Sequence, residues 1–246
     1  MTDAANYAEA VLANSSFSLA STAMDFSKNW VAGSSSPEII FAYVNNSRAS
    51  SPLNFTLYVN DTDGSWNYAP SDWCYSSLFA DDNTLSRKGD VRSKATFTSQ
   101  DANRVIKYPN GTYQLAETSD YTCTPVVISR ISEMYLVKAE ALGKMNGAAT
   151  LVEYMKKRYT TAPSEAAIKA LSDKEYQTLI LDERRREFYA EGMRWQDIKR
   201  TNRLELLETL DGRTYLMYYP IPQDEIDMAG TVAYPCLLYT SPSPRD

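Results

Sequence analysis

Asp182-Glu-Arg-Arg-Arg-Glu-Phe-Tyr-Ala-Glu-Gly-Met-Arg-Trp-Gln-Asp-Ile-Lys-Arg200 sets Glu183, Glu187 and Glu191 at i, i+4 and i+8, on one stripe of a helix. Like charges at that spacing repel by about a few tenths of a kcal/mol per pair. Basic residues must offset this: Glu183 faces Arg186 and Arg184 faces Glu187 at i, i+3, with Arg185 between them. Gly192 fits the C′ position that ends such a helix, so the helix is expected to run to Glu191. Met193 to Arg200 then restart as a short helix with Trp195 and Ile198 inward. Charge patterning taken alone describes a solvated, salt-bridge-laced face. The aromatics Phe188, Tyr189 and Trp195 argue against full exposure. Together with Arg194, Asp197 and Arg200, the stretch reads as a structural clamp between helices.

Upstream, Ser172 and Glu175 form a capping box for the same helix, with Leu179 and Ile180 inward. Ile128, Ile131, Tyr135, Ala139 and Leu142 follow the 3/4 spacing of an amphipathic helix beyond Pro125. Gly143 or Gly147 breaks it, and Ala148 to Arg158 form an antiparallel partner, one tetratricopeptide-like unit. Residues 3–13 read as a short helix with Tyr7, Ala10 and Val11 on one face. Between them, Ser34-Ser-Ser-Pro37, Ser50-Ser-Pro52 and Asn60-Asp-Thr-Asp-Gly64 are turn signals. Glu38–Val44 reads as a buried strand, residues 71–80 as a helix capped by Ser71 or Asp72, and Val105–Tyr108 as a strand. The predicted fold is mainly α: tetratricopeptide-like helix pairs, an irregular loop-rich lobe over 15–124, and a helical scaffold with a closing strand over 125–226.

Four segments, in order, resemble a known family. Ala5-Asn-Tyr-Ala-Glu-Ala-Val-Leu through Phe17-Ser-Leu is the first. Arg130-Ile-Ser-Glu-Met-Tyr-Leu-Val-Lys-Ala-Glu-Ala141 matches R-x-x-E-x-Y-L-x-x-A-E-A. Glu183 to Arg200 match E-R-R-x-E-F-x-x-E-G-x-R-x-x-D-x-K-R, and Tyr219-Pro-Ile-Pro-Gln-Asp-Glu-Ile226 matches P-I-P-x-x-E-I. The combination resembles the SusD/RagB family of bacterial outer-membrane nutrient- and glycan-binding lipoproteins. That resemblance implies a single SusD-like domain over 1–235, here its C-terminal part, with a lipid anchor in an N-terminal region that this chain lacks. It implies surface exposure, an oligosaccharide or other nutrient ligand, a SusC-like TonB-dependent transporter as partner, and no enzymatic activity. The last eleven residues, 236–246, change character abruptly and resemble translated sequencing-adapter read-through, so they are kept out of fold reasoning.

Composition narrows the alternatives. A net charge of −6 with no basic stripe argues against a nucleic-acid partner. The chain has no histidine, which removes Ser-His-Asp and Cys-His catalysis and most zinc chemistry. Cys74 and Cys123 lack metal spacing and read as free thiols rather than a disulfide framework. Asp61-Thr-Asp63-Gly64 has some calcium-like oxygens but lacks a distal Glu, so an Asx turn is expected. No metal or cofactor is implied. Sequons at Asn14, Asn45, Asn54, Asn60 and Asn110 fit chance in an Asn/Ser/Thr-rich chain. An acid-pair glycosidase would have to draw on arginine-matched carboxyls, which make poor general acids.

A sugar site needs an aromatic platform beside hydrogen-bonding groups. Asn60 to Tyr75 has both: Trp66 and Tyr68 first, Trp73 second, with Asn67 and Asp63 as polar partners. For Trp73 the competing expectation is packing, since with Cys74 and Leu78 it could begin a buried helix. The rival to the whole functional reading is a helical-repeat scaffold that binds a protein partner and has no sugar site.

Overall fold

Gly143 organises the helical region. Helix α4, Ile131–Arg158, is two arms joined at this residue, whose φ of 67° and ψ of 174° lie where side chains are strained. The arms run antiparallel. Tyr135 donates to Glu153 Oε1 at 3.0 Å across 18 residues, a separation that would span ~27 Å in a straight helix. Gly147 permits the close return, because a Cβ there would lie 2.3 Å from the Ala139 carbonyl oxygen.

These features come from a computed structural model that describes residues 2–31, 36–44, 69–97, 105, 107, 125–207 and 213. The chain divides into two units, Met1–Glu191 and Gly192–Asp246. In the first, helix α1, Thr2–Leu12, packs on α4 through the small buried residues Ala5 and Ala8. This corrects the expected face: Tyr7 is 76% exposed, because a close helix–helix approach admits alanine and not tyrosine. Helix α5, Glu165–Lys169, is capped by Ser164, and α6, Asp173–Glu187, carries the expected Ser172–Glu175 capping box. Leu179 and Ile180 are buried as α6 packs on α4, and the Tyr176 hydroxyl donates to Ala139 O at 2.8 Å.

Two small antiparallel sheets complete the unit. β1, Ile39–Tyr43, pairs with β3, Val126–Arg130. Ile128 therefore lies on a strand and not in the helix its spacing suggested, and it is exposed. A run of Val-Val-Ile suits a pleated ladder once a partner strand is available. β1 itself forms where expected, but Phe41 and Tyr43 are exposed rather than buried, because a two-stranded sheet has one uncovered face. β2, Lys88–Asp90, pairs with β4, Tyr159–Thr161. Gly89 is required there, since a Cβ would lie 2.2 Å from Thr160 Oγ1.

Helices α2, Ala23–Ser27, and α3, Val91–Thr96, pack together around Phe26, Trp30 and Ala95. Within the expected 71–80 helix, residues 72–78 are helical, with a π turn over Cys74–Leu78. Val105 bridges Phe97 and Lys107 lies in a bend rather than the expected strand, while residues 106 and 108 and the 219–226 closing segment lie outside the described residues. In the second unit, α7, Met193–Thr201, follows Gly192 at φ 79° and ends at left-handed Asn202, with Asp197 and Ile198 buried. No helix among the described residues is long and apolar enough to cross a membrane.

The hairpin gives a direct test. Gly147→Ala should lower stability by about 1–3 kcal/mol through overpacking against fixed backbone, and Gly147→Leu should cost more. At Gly143 nothing lies within 4 Å of the position a Cβ would take, so Ala and Leu there should cost alike, through backbone strain alone. Urea unfolding of the four variants separates the two mechanisms.

Candidate functional site

The acid row of α6 is buried, not solvated. Glu183 and Glu187 have no exposed surface, and their partners come from across the fold. Glu187 Oε1 accepts from Arg130 at 2.6 Å and from Arg158 at 2.9 Å. Its Oε2 accepts from Arg158 Nε at 2.9 Å, the Tyr154 hydroxyl at 2.7 Å and Arg92 at 3.3 Å. Glu183 accepts from Arg186 at 2.8 Å, the Tyr159 hydroxyl at 2.6 Å and Arg92 at 2.9 Å. Glu38, just before β1, pairs with Arg158 at 2.8 Å and Arg130 at 3.4 Å.

Of the expected on-helix pairs, Glu183–Arg186 forms. Arg184 instead turns to Glu133 at 3.4 Å, leaving Glu187 to guanidinium groups that start 57 and 29 residues away in sequence. Burial pushes both carboxyls up, but the surrounding guanidinium groups win. Arg186 and Arg92 hold Glu183 down at about 2. Arg158, Arg130 and Arg92 hold Glu187 well below the carboxylate range.

Helix α6 ends at Glu187, four residues short of the expected Glu191. The reason lies in the same cluster: Arg130 donates to the Glu187 carbonyl at 3.0 Å, and Lys107 to the Tyr189 carbonyl at 2.9 Å. Cations thus take carbonyls that another helical turn would have used. Glu191 folds back to meet Arg130 at 2.8 Å and Lys107 at 2.7 Å. Lys107 also sits 4.3 Å above the Trp30 ring. Burial outweighs its acidic neighbours and pushes its ammonium down to about 8.

Across the turn Phe188–Gly192, the expected clamp is divided between the two units. Within the second, Asp197 accepts from Arg200 Nε at 2.9 Å, while Arg194 and Trp195 are half-buried.

Thr178, Leu179, Asp182 and Arg186 of α6 border an open cleft of about 630 Å³. Trp73, Leu78, Leu85, Thr178 and Leu179 contribute to its wall, with Asp82, Arg87, Asp182 and Arg186 among the charged residues. Trp73 is 44% exposed, while Cys74 and Leu78 beside it are buried. The expected packing therefore holds for Cys74 and Leu78 but not for Trp73 itself. Trp73 faces outward, and its neighbours pack with Phe79, Phe97 and Tyr189. Cys74 is a free thiol 3.2 Å from the Tyr189 hydroxyl. Arg185, expected in the clamp, stacks its guanidinium 4.3 Å from the Trp73 ring.

Trp66, Asn67, Tyr68 and Asp63 lie outside the described residues, as does Cys123. Asp182 was missed, although it opens the decisive stretch. Its position i−4 to Arg186 on α6 was visible, but the side of the helix it serves was not.

A family model described as the SusD family matches residues 62–213. The chain belongs to the SusD family. A SusD-like protein, P38, from Formosa agariphila is 31% identical over 100 residues, covering 37% of this chain and 20% of that protein. A SusD superfamily structure from Bacteroides fragilis superposes with a TM-score of 0.56 at 22% identity, over 80% of this chain and 47% of that one. A SusD-like carbohydrate-binding protein from Bacteroides vulgatus gives 0.53 at 21%, over 80% and 40%. This chain thus spans about half the length of these solved structures, or less, and a fifth of the curated relative. At such identities the superpositions show the SusD fold, mainly α with few short strands.

The buried cluster predicts an asymmetry. Glu187→Gln should cost roughly 3–5 kcal/mol, because it strands desolvated guanidinium groups. Arg185→Ala, which removes only a stacking contact at the surface, should cost about 1 kcal/mol or less. Equilibrium unfolding in urea distinguishes them.

The pH dependence follows from the same carboxyls. Both have folded values below the ordinary 4.5, so the stability they contribute is fully present above that value. It is lost as pH falls toward about 2. Thermal melts across that window should fall steeply for the wild type and less for Glu183→Gln.

Proposed function

We propose that this protein binds oligosaccharides or related nutrients at the bacterial cell surface and passes them to a SusC-like TonB-dependent transporter. The same reading gives it a lipid-anchored position on the outer membrane and no catalytic role. The observation that carries it is Trp73, a half-exposed indole at the edge of a 630 Å³ cleft that also holds carboxylate and hydroxyl groups. An exposed aromatic face beside hydrogen-bonding groups matches the C–H faces and hydroxyl edges of a sugar ring. Membership of the SusD family supports the same reading.

A hydrolytic role finds no support in the α6 acids. A general acid works best with a pKa near the operating pH, whereas Glu183 is held at about 2 and Glu187 well below the carboxylate range. Trp66 and Tyr68, close upstream in sequence, are proposed to extend the aromatic platform, with Asn67 and Asp63 as polar partners.

Trp73→Ala should weaken oligosaccharide binding about tenfold or more, equivalent to ~1.4 kcal/mol, with the melting temperature unchanged. Trp66→Ala should act in the same direction. Isothermal titration with the intact protein measures the first effect and calorimetric melting the second. Unchanged affinity in both variants would sink the sugar site and leave a protein-binding helical scaffold in the lead. Co-purification of a TonB-dependent transporter with the tagged protein tests the partner separately.

A further inference from the structure

The charged groups of the cleft are not equally available. Asp82 Oδ1 already accepts the amides of Thr84 at 2.8 Å and Leu85 at 3.2 Å. Glu175 accepts the Ser172 amide at 2.7 Å in the capping box. Arg87 is turned inward, to the Tyr159 hydroxyl at 3.1 Å and Ala80 O at 3.5 Å. Arg186 is likewise spent on Leu78 O at 2.9 Å and Glu183 at 2.8 Å. Among the described residues the Nε atoms of both arginines have no hydrogen-bond partner, yet they are buried beneath the wall where a ligand cannot reach them.

Asp182 differs from all of these. It lines the cleft, is half-buried, and among the described residues has no hydrogen-bond or ion-pair partner. Lys174, a second charged residue of the cleft, lies exposed at the rim. Trp73 completes the arrangement. Its indole borders the cleft and is 44% exposed, while the Arg185 guanidinium stacks 4.3 Å from the ring.

We propose that Asp182 is the specificity-determining group of this cleft: it anchors the hydroxyls of an uncharged sugar ring stacked on Trp73 and turns away acidic sugars. A carboxylate is an acceptor only and can receive two neighbouring hydroxyl protons in charge-assisted hydrogen bonds. A uronate or sulfate ester brought beside Asp182 meets like charge, with both guanidinium groups of the cleft already committed inside the fold and Lys174 the one exposed cation among its described lining residues. Arg185 acts as a positioning residue, stacked on the indole.

This inference rests on the nutrient-binding reading above, and affinity electrophoresis of the intact protein can separate the two. The gels would carry neutral polysaccharides (starch, xylan, mannan, laminarin) or acidic ones (polygalacturonate, alginate). The expected result is retardation by at least one neutral gel, no retardation by the acidic gels, and about a tenfold or greater loss for Asp182→Asn. The melting temperature of that variant should be unchanged, since the side chain has no partner among the described residues to lose. Arg185→Lys, which keeps the charge but not the flat stack, should fall between wild type and Trp73→Ala.

Retardation by an acidic gel, or an Asp182→Asn variant that binds as well as wild type or better, overturns the role of Asp182 and leaves the nutrient-binding reading standing. Absence of retardation in every gel, or wild-type behaviour of Trp73→Ala, overturns the cleft as a sugar site and the role of Asp182 with it.

Discussion

A carboxylate with no water around it must be fully paired or it will not stay ionised, and Glu187 meets that demand with three guanidinium groups and a tyrosine hydroxyl. The partners arrive on separate elements: Arg92 on α3, Arg130 at the end of β3, Arg158 and Tyr154 at the end of α4. Desolvating such ions costs several kcal/mol apiece, and the cost is met only when every partner is in place. The cluster therefore works less as a source of net stability than as a test of assembly. A chain with one of these elements misplaced would bury an unmatched charge. This is the constraint on which the helix hairpin, both small sheets and the stop of α6 depend.

The same helix presents two chemistries. Its inner side carries Glu183 and Glu187, locked in ion pairs and ionised well below the ordinary carboxylate range. Its outer side carries Asp182 toward the cleft and Arg185 against Trp73. A binding group on a rigid helix is positioned more closely than one on a loop, and here the adjacent buried ions supply the rigidity. The aromatic cluster of Phe79, Phe97 and Tyr189 supports the other wall, beneath the segment that carries Trp73. Scaffold and site are thus adjacent but separable, so substitutions in one need not disturb the other.

Much of the scaffold was legible because it rests on short-range rules. The capping box at Ser172 and Glu175, the break at Gly143 or Gly147, the inward Leu179 and Ile180, and the pairing of Glu183 with Arg186 involve residues close in sequence. The ordered motifs that mark the SusD family could likewise be read directly. The errors share one origin. Local pattern groups Tyr7 with Ala10 and Val11 on one face, places Ile128 in a helix and runs α6 to Glu191. Packing against α4, pairing with β1 and capture of carbonyls by Arg130 and Lys107 then decided otherwise.

The sequence alone determined the helical class, a helix pair broken at Gly143 or Gly147, the family, and the fact that the acid stripe on α6 needed compensating charge. It could not determine which charges would provide it. Helical spacing reports neighbours three and four residues away, whereas the cations on Glu187 come from α3, β3 and α4. Only the tertiary structure decided that the stripe is dehydrated, that Arg185 serves Trp73, and that Asp182 has no partner among the described residues. Burial and long-range pairing exist only after the elements pack, because both depend on distances that no local pattern encodes.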